Sequence, residues 1–166
     1  MMTTVAAAIV VGTLMGPKQG ASLDPCRLLT AAELTSALGS APSGGKPVGP
    51  TIEKEIGGRS WACDQHVGEG VLSITVYEFA TAAAAAQGWT AMLKESRDTP
   101  EAFQLAPASG PGDRAAWGGE DGGGMWVVLK GKYMLNVTLA VDTTDPLRLR
   151  EPLKRLTTLA LGRLVP

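Results

Sequence analysis

The sequence predicts an α+β domain: an antiparallel sheet built from two hairpin-plus-helix halves, with a short capped amino-terminal helix tied on by a disulfide. Three observations predict it. The first is the stretch Gly124–Asp142, in which Met125–Lys130 and Tyr133–Asp142 are two runs rich in Val, Leu and aromatics joined at Gly131-Lys132. A two-residue link with glycine first suits a type II′ hairpin. In the second run Tyr133, Leu135, Val137, Leu139 and Val141 fall on one face, and Met134, Asn136, Thr138 and Ala140 on the other. That is the period of a half-buried strand. The second observation is a recurrence. Trp61–Phe79 followed by a helical stretch repeats the order of Trp126–Asp142 followed by the last helix: Trp, hairpin, alternating strand, helix. Identity between the halves is low, so a chance recurrence of ββα stands beside duplication as an explanation. The third is Thr30-Ala31-Ala32-Glu33, a capping box just after Cys26.

Taken in order, the first helix runs Ala31–Leu38. Leu29 and Leu34 are placed to staple its start, and Gly39 stops it. It is too short to hold alone, so packing and Cys26 must pin it. Ser40–Pro50 has no periodicity and reads as a loop rich in Gly, Pro and Ser; Thr51–Ile56 reads as an edge strand guarded by Glu53, Lys54 and Glu55. Arg59–His66 and Val71–Phe79 form a hairpin turned at Gly68-Glu69-Gly70. Thr81 caps a helix over Ala82–Glu95 with Ala85, Trp89, Met92 and Leu93 as its apolar stripe; Gly88 weakens its middle by about 1 kcal/mol relative to Ala. Arg97–Gly112 is loop, with Phe103 and Leu105 its bulky apolar residues. A strand at Arg114–Trp117 precedes a flexible link, Gly118–Gly124, and the central hairpin follows. Because Pro152 should interrupt a helix, a single turn after Pro146 is expected, then the main helix at Pro152–Arg163 with Leu149, Leu153, Leu156, Ala160 and Leu164 as its stripe.

Compartment follows from the amino terminus and the cysteines. Val5–Met15 is an uncharged apolar run, too short to span a bilayer and of the size of a secretory signal core. Gly20-Ala21-Ser22 offers small residues for cleavage, giving residues 1–22 as a signal peptide, 23–166 as one domain, and no membrane span after cleavage. No Lys or Arg precedes the run, which departs from the usual signal pattern; a buried helix or an uncleaved anchor are the alternatives. Two cysteines, Cys26 and Cys63, remain in the mature part, and an even number in an exported chain points to a disulfide. Leu23-Asp24-Pro25-Cys26 lacks the small residues of a lipid-attachment signal.

Composition and motifs narrow the chemistry. Net charge is −1 with no long run of like charge, which favours neither nucleic acid nor anionic membrane as a partner. Cys63-Asp64-Gln65-His66 offers one thiol and the chain's sole histidine, too few for a metal site, and the lone histidine removes most hydrolase triads. No cofactor, metal or catalytic residue is expected. GGEDGGG at Gly118–Gly124 is not a phosphate loop, since a strand follows and Glu120-Asp121 would repel the anion. Trp61, Trp117 and Trp126 sit in or beside strands; they either fill the core or line a shallow groove on an uncovered sheet face.

Three segments carry a resemblance: Cys26-Arg27-Leu28-Leu29-Thr30-Ala31-Ala32-Glu33-Leu34 with Leu38-Gly39, then Trp61-Ala62-Cys63, then Gly110-Pro111-Gly112-Asp113-Arg114-Ala115-Ala116-Trp117. Together they resemble a broad class of small bacterial secreted and lipoprotein envelope domains, with the extracytoplasmic sensor domain of a mycobacterial Ser/Thr kinase as a distant relative. In that class the two cysteines pair, which agrees with the count above. The resemblance brings no catalytic residues. The expected function is therefore a monomeric, non-enzymatic extracytoplasmic domain that binds a small ligand or a protein partner of the cell envelope. A structural or accessory envelope protein is one alternative, and a hydrolase using Glu120, Asp121 and Asp113 another.

Overall fold

The computed structural model describes residues 23–99 and 103–164; the expected signal peptide, 1–22, lies outside them. After a single 3-10 turn at Pro25–Arg27 come α1 (Ala31–Leu38), β1 (Pro42–Glu53), β2 (Gly58–Val67), β3 (Gly70–Glu78) and α2 (Ala82–Asp98). Then follow β4 (Ala106–Pro107), β5 (Arg114–Glu120), β6 (Gly123–Lys130), β7 (Tyr133–Ala140) and α3 (Leu147–Leu164). The strands form one antiparallel sheet in the order β1-β2-β3-β7-β6-β5-β4. Each half is a meander followed by a helix, and the halves join where β3 pairs with β7, Ile74 opposite Val137 and Val76 opposite Leu135. The expected α+β class and its two halves are what the chain adopts.

Alternation decides what each face meets. Leu72, Ile74 and Val76 of β3, Leu135, Val137 and Leu139 of β7, and Trp126 and Val128 of β6 point to one face, where α1 and α3 cover them. Met134, Val127, Leu129 and Ala116 point to the other, where α2 brings Ala85 and Trp89 onto them. The two halves therefore send their helices to opposite faces, giving three layers. In the β6–β7 turn Gly131 has a positive φ and Lys132 does not, the pattern of a II′ turn.

Four expectations are corrected. Ser40–Pro50 is not a loop: β1 starts at Pro42 and pairs along β2 with two register shifts. An edge strand tolerates Pro42, Pro47 and Pro50 because its outer amides need no partner. Almost all of β1 is exposed, so it carries no hydrophobic alternation to read. Gly49, in the left-handed region, lets the strand approach β2 so closely that a Cβ there would meet the Ser60 carbonyl at 2.6 Å. The link at Gly118–Gly124 is mostly strand, with only Asp121-Gly122 turning. Its glycines are there because the Trp117 ring lies across Gly119 and Gly124; a Cβ on Gly124 would sit 2.4 Å from it. The last helix begins at Leu147 and runs through Pro152. Only the amide that would meet the Arg148 carbonyl is lost, while Leu149 and Leu153 hold both sides of the proline to the core. Finally, α2 continues to Asp98. Ser96 Oγ then donates to the Phe103 carbonyl (2.7 Å) and accepts from the Leu105 amide (2.8 Å), docking the segment that leads to β4.

Phe79 fixes the seat of α2. Its buried ring is wedged between Gly88 of α2 and Gly58 of β2, with a Cβ on either falling within 3.3 Å of it. Gly88→Ala should gain about 1 kcal/mol in helix propensity. It should lose more, because the new methyl would lie 2.5 Å from a ring that cannot retreat. Urea unfolding of this variant should therefore show a lower midpoint than the wild type; a raised midpoint would mean the ring is free to move.

Candidate functional site

Tracing the predicted site residues shows what the fold brings together. Cys26 and Cys63 are bonded, Cα atoms 5.3 Å apart across 37 positions of sequence. Trp117 and Trp126 meet with ring centroids 5.6 Å apart. Both are buried beneath α3: Trp126 is 0 % exposed, and its indole Nε1 donates to the Arg150 carbonyl at 2.8 Å. Lys154 and Arg150 place their cationic heads over the same ring, at 5.8 and 6.0 Å. Trp61 faces the same side of the sheet but belongs to β2, with β3 and β7 standing between it and Trp126 on β6. It is buried against Gly49 with Arg59 over its ring.

The acids do not converge either. Asp113 receives Lys130 Nζ (2.8 Å) and the Gly131 amide (2.9 Å), and these contacts hold its carboxyl below the usual range. Glu120 and Asp121 lie at the opposite end of β5, the whole length of the strand away. His66 points to the sheet face opposite Cys63, since residues three apart on a strand alternate sides.

A concave site forms elsewhere, where the carboxyl ends of α1 and β7 meet the start of α3 and the β2–β3 turn. It is a cleft of about 520 Å³. Leu38, Val67, Leu139, Val141, Leu149 and Pro152 supply apolar walls; Ser40, Glu69, Asp142, Thr143 and Arg148 supply polar ones. Its size is that of a small-molecule site, and its lining is mixed, with at least as much polar as apolar surface. Among the described residues Arg148 has no ion-pair partner. The cleft presents donors, acceptors and apolar side chains together, and no histidine lines it to act as base for the Ser40 and Thr143 hydroxyls. Sequence reading missed this set because its members come from four elements. Val141 and Leu149 fall on the apolar stripes predicted for the strand and the last helix, and nothing in their spacing marks them as cleft rather than core.

The α1 wall is placed by its own capping and by two ties. Thr30 Oγ accepts from the Glu33 amide (3.3 Å), and the Thr30 amide donates to Glu33 Oε2 (2.8 Å). Gly39, in the left-handed conformation, ends the helix and turns the chain toward Ser40. The disulfide fixes the segment before α1. From the far end of α3, the Arg163 fork donates to both oxygens of Glu33 (2.8 and 2.6 Å) and to the Leu28 carbonyl (2.6 Å). The Arg163 contacts first, then the Thr30 amide, lower the Glu33 carboxyl from 4.5 to about 2.

The fold is similar to that of the extracellular domain of PknH from Mycobacterium tuberculosis. The TM-score is 0.52 at 12% identity, over 81% of this chain and 92% of that one, a likeness of fold alone. No protein family and no curated protein matches the sequence.

A carboxylate whose folded pKa is depressed stabilises the fold above its unfolded value and loses that contribution as pH falls toward the folded one. Glu33 should therefore weaken the fold as pH drops from about 4.5 to about 2. Urea midpoints measured across that window should fall less steeply for Glu33→Gln than for the wild type, with the two converging at the acid end. Parallel curves would show that the Arg163 fork does not hold α1 in solution.

Proposed function

We propose that this chain is a non-enzymatic extracytoplasmic domain that binds a small amphipathic molecule in the cleft between α1 and α3. The observation that carries this reading is the cleft itself: preformed, walled in part by Leu38, Val67, Leu139, Val141, Leu149 and Pro152, and bordered by Arg148, Glu69 and Asp142 without a histidine among the residues that line it. Support for the compartment comes from the Cys26–Cys63 bond, which persists in oxidising surroundings. The apolar leader Val5–Met15 and the likeness to an extracellular domain agree with it. A sensing role would follow naturally from the geometry. Ligand pressed between α1 and α3 would bias how a short, tethered helix sits on the long one, and a bound state differing from the free one is all that a signal requires.

Native mass spectrometry of the protein purified without denaturant from the envelope of the cells that make it provides the test. The wild type should carry a small-molecule adduct. Ser40→Trp, which places an indole across the cleft mouth at a partly exposed position, should reduce occupancy at least about tenfold with an unchanged urea midpoint. An adduct of equal occupancy in both proteins would place the ligand elsewhere, and none in either would remove the reading.

A further inference from the structure

On the opposite sheet face a second hollow lies between α2 and β4–β5. Its deeper part, about 290 Å³, has Trp89, Leu93, Leu105 and Pro107 as apolar walls. Through Thr90 and Arg114 it continues into a shallower trough of about 500 Å³ along α2. The polar character is one-sided. Arg97 and Arg114 border the deeper part, and among the described residues neither has an ion-pair partner. Lys94 borders the trough, its charge shared with Asp98. Among the described residues no acid lines either part, in a chain whose net charge is −1. The Trp89 indole N–H, a donor with no acceptor capacity, has no hydrogen-bond partner among the described residues, and no buried polar side-chain atom among them is left unsatisfied. That N–H therefore keeps contact with solvent rather than being sealed in the core, on a residue that lines the hollow.

We propose that this hollow is a binding site for a single-chain anionic amphiphile: an apolar chain lying against Trp89, Leu93 and Leu105, with an oxyacid head group held by Arg97 and Arg114. Charge complementarity selects the occupant. Two guanidiniums without an ion pair among the described residues, Arg97 exerting only a longer-range pull on Asp98, match the paired oxygens of a phosphate or carboxylate. An apolar wall beside them rewards a chain that a free anion lacks. An extended peptide is disfavoured, because β4 has only two residues and one of them is Pro107, leaving no edge on which to add a strand.

Isothermal titration calorimetry on the full chain, with lauroyl lysophosphatidic acid kept below its micellar concentration, tests the assignment. Saturable binding of one lipid per chain is expected. Monolaurin, which lacks the charge, and inorganic phosphate, which lacks the chain, should each bind at least about tenfold more weakly. Arg97→Gln/Arg114→Gln, made at two exposed positions, should weaken the lipid at least about tenfold while leaving the urea midpoint unchanged. Leu93→Gln should weaken it as well, without restoring affinity for phosphate. Absence of binding overturns the proposal. So does equal affinity for monolaurin or phosphate, equal affinity for a poly-glutamate peptide, or unaltered binding by the double variant, which would put the lipid at some other site.

Discussion

Pairing of β3 with β7 is the constraint on which the rest of the structure depends. It brings together strands 55 positions apart at their first pair, Glu78 with Tyr133, and fuses two meanders into one sheet. Side by side on one face it sets Leu72, Ile74, Val76, Leu135, Val137 and Leu139, all 5 % exposed or less. Burying each such side chain contributes about 1.5–3 kcal/mol. The disulfide, on the chain-entropy account, contributes roughly 4 kcal/mol for a loop of this length. It is thus worth about two core residues. That is enough to keep α1 in place and far too little to make the sheet.

That comparison separates what makes the fold from what shapes the cleft. An eight-residue helix is unstable by itself in water. Leu34, 0 % exposed, anchors α1 from below; the Cys26–Cys63 bond anchors its leading segment, and Arg163 clamps its first turn. All three hold the amino-terminal part of α1. At its other end Ala37 and Leu38 pack on the same core. Leu38 also faces Leu149 and Pro152 across open volume, so the wall of the cleft is the part of α1 held by packing alone.

How much of this was legible in the sequence depended on whether a residue's neighbours were local. The capping box, the Gly131 turn and the alternation of Tyr133–Ala140 are short-range, and each is present as read. β1 was illegible ahead of Thr51 because an exposed edge strand has no reason to alternate, and its prolines and glycines look like loop. Gly118–Gly124 looked flexible because the partner of its glycines, the Trp117 ring, comes from the same strand but lies across the next one. The tryptophans drew attention by size, yet Trp126 is fully covered by α3 through a hydrogen bond to Arg150 that no spacing rule could foresee. Trp89, read only as part of a helical stripe, is the tryptophan that lines the hollow beside α2. The cleft beside α1 draws on Leu38, Val67, Val141 and Leu149, which are remote in sequence and which no motif joins to one another.

Geometry explains why the cleft beside α1 and the hollow beside α2 lie on opposite faces. A seven-stranded sheet is about three helix diameters wide, so no single helix can cover a face of it. One face has α1 and α3, with room left over where the shorter of them stops. The other has α2 alone, so a flank of it is left to the segment docked through Ser96 and to the hollow beside Leu105. Had both halves sent their helices to one face, that face would be nearly covered and the other bare. Sending α2 across leaves each face partly covered, with a concavity at a helix margin on each. Such concavities belong to the architecture. Their linings do not: Arg148, Glu69 and Asp142 border one and Arg97 and Arg114 the other, a chemistry that the side chains, and not the fold, supply.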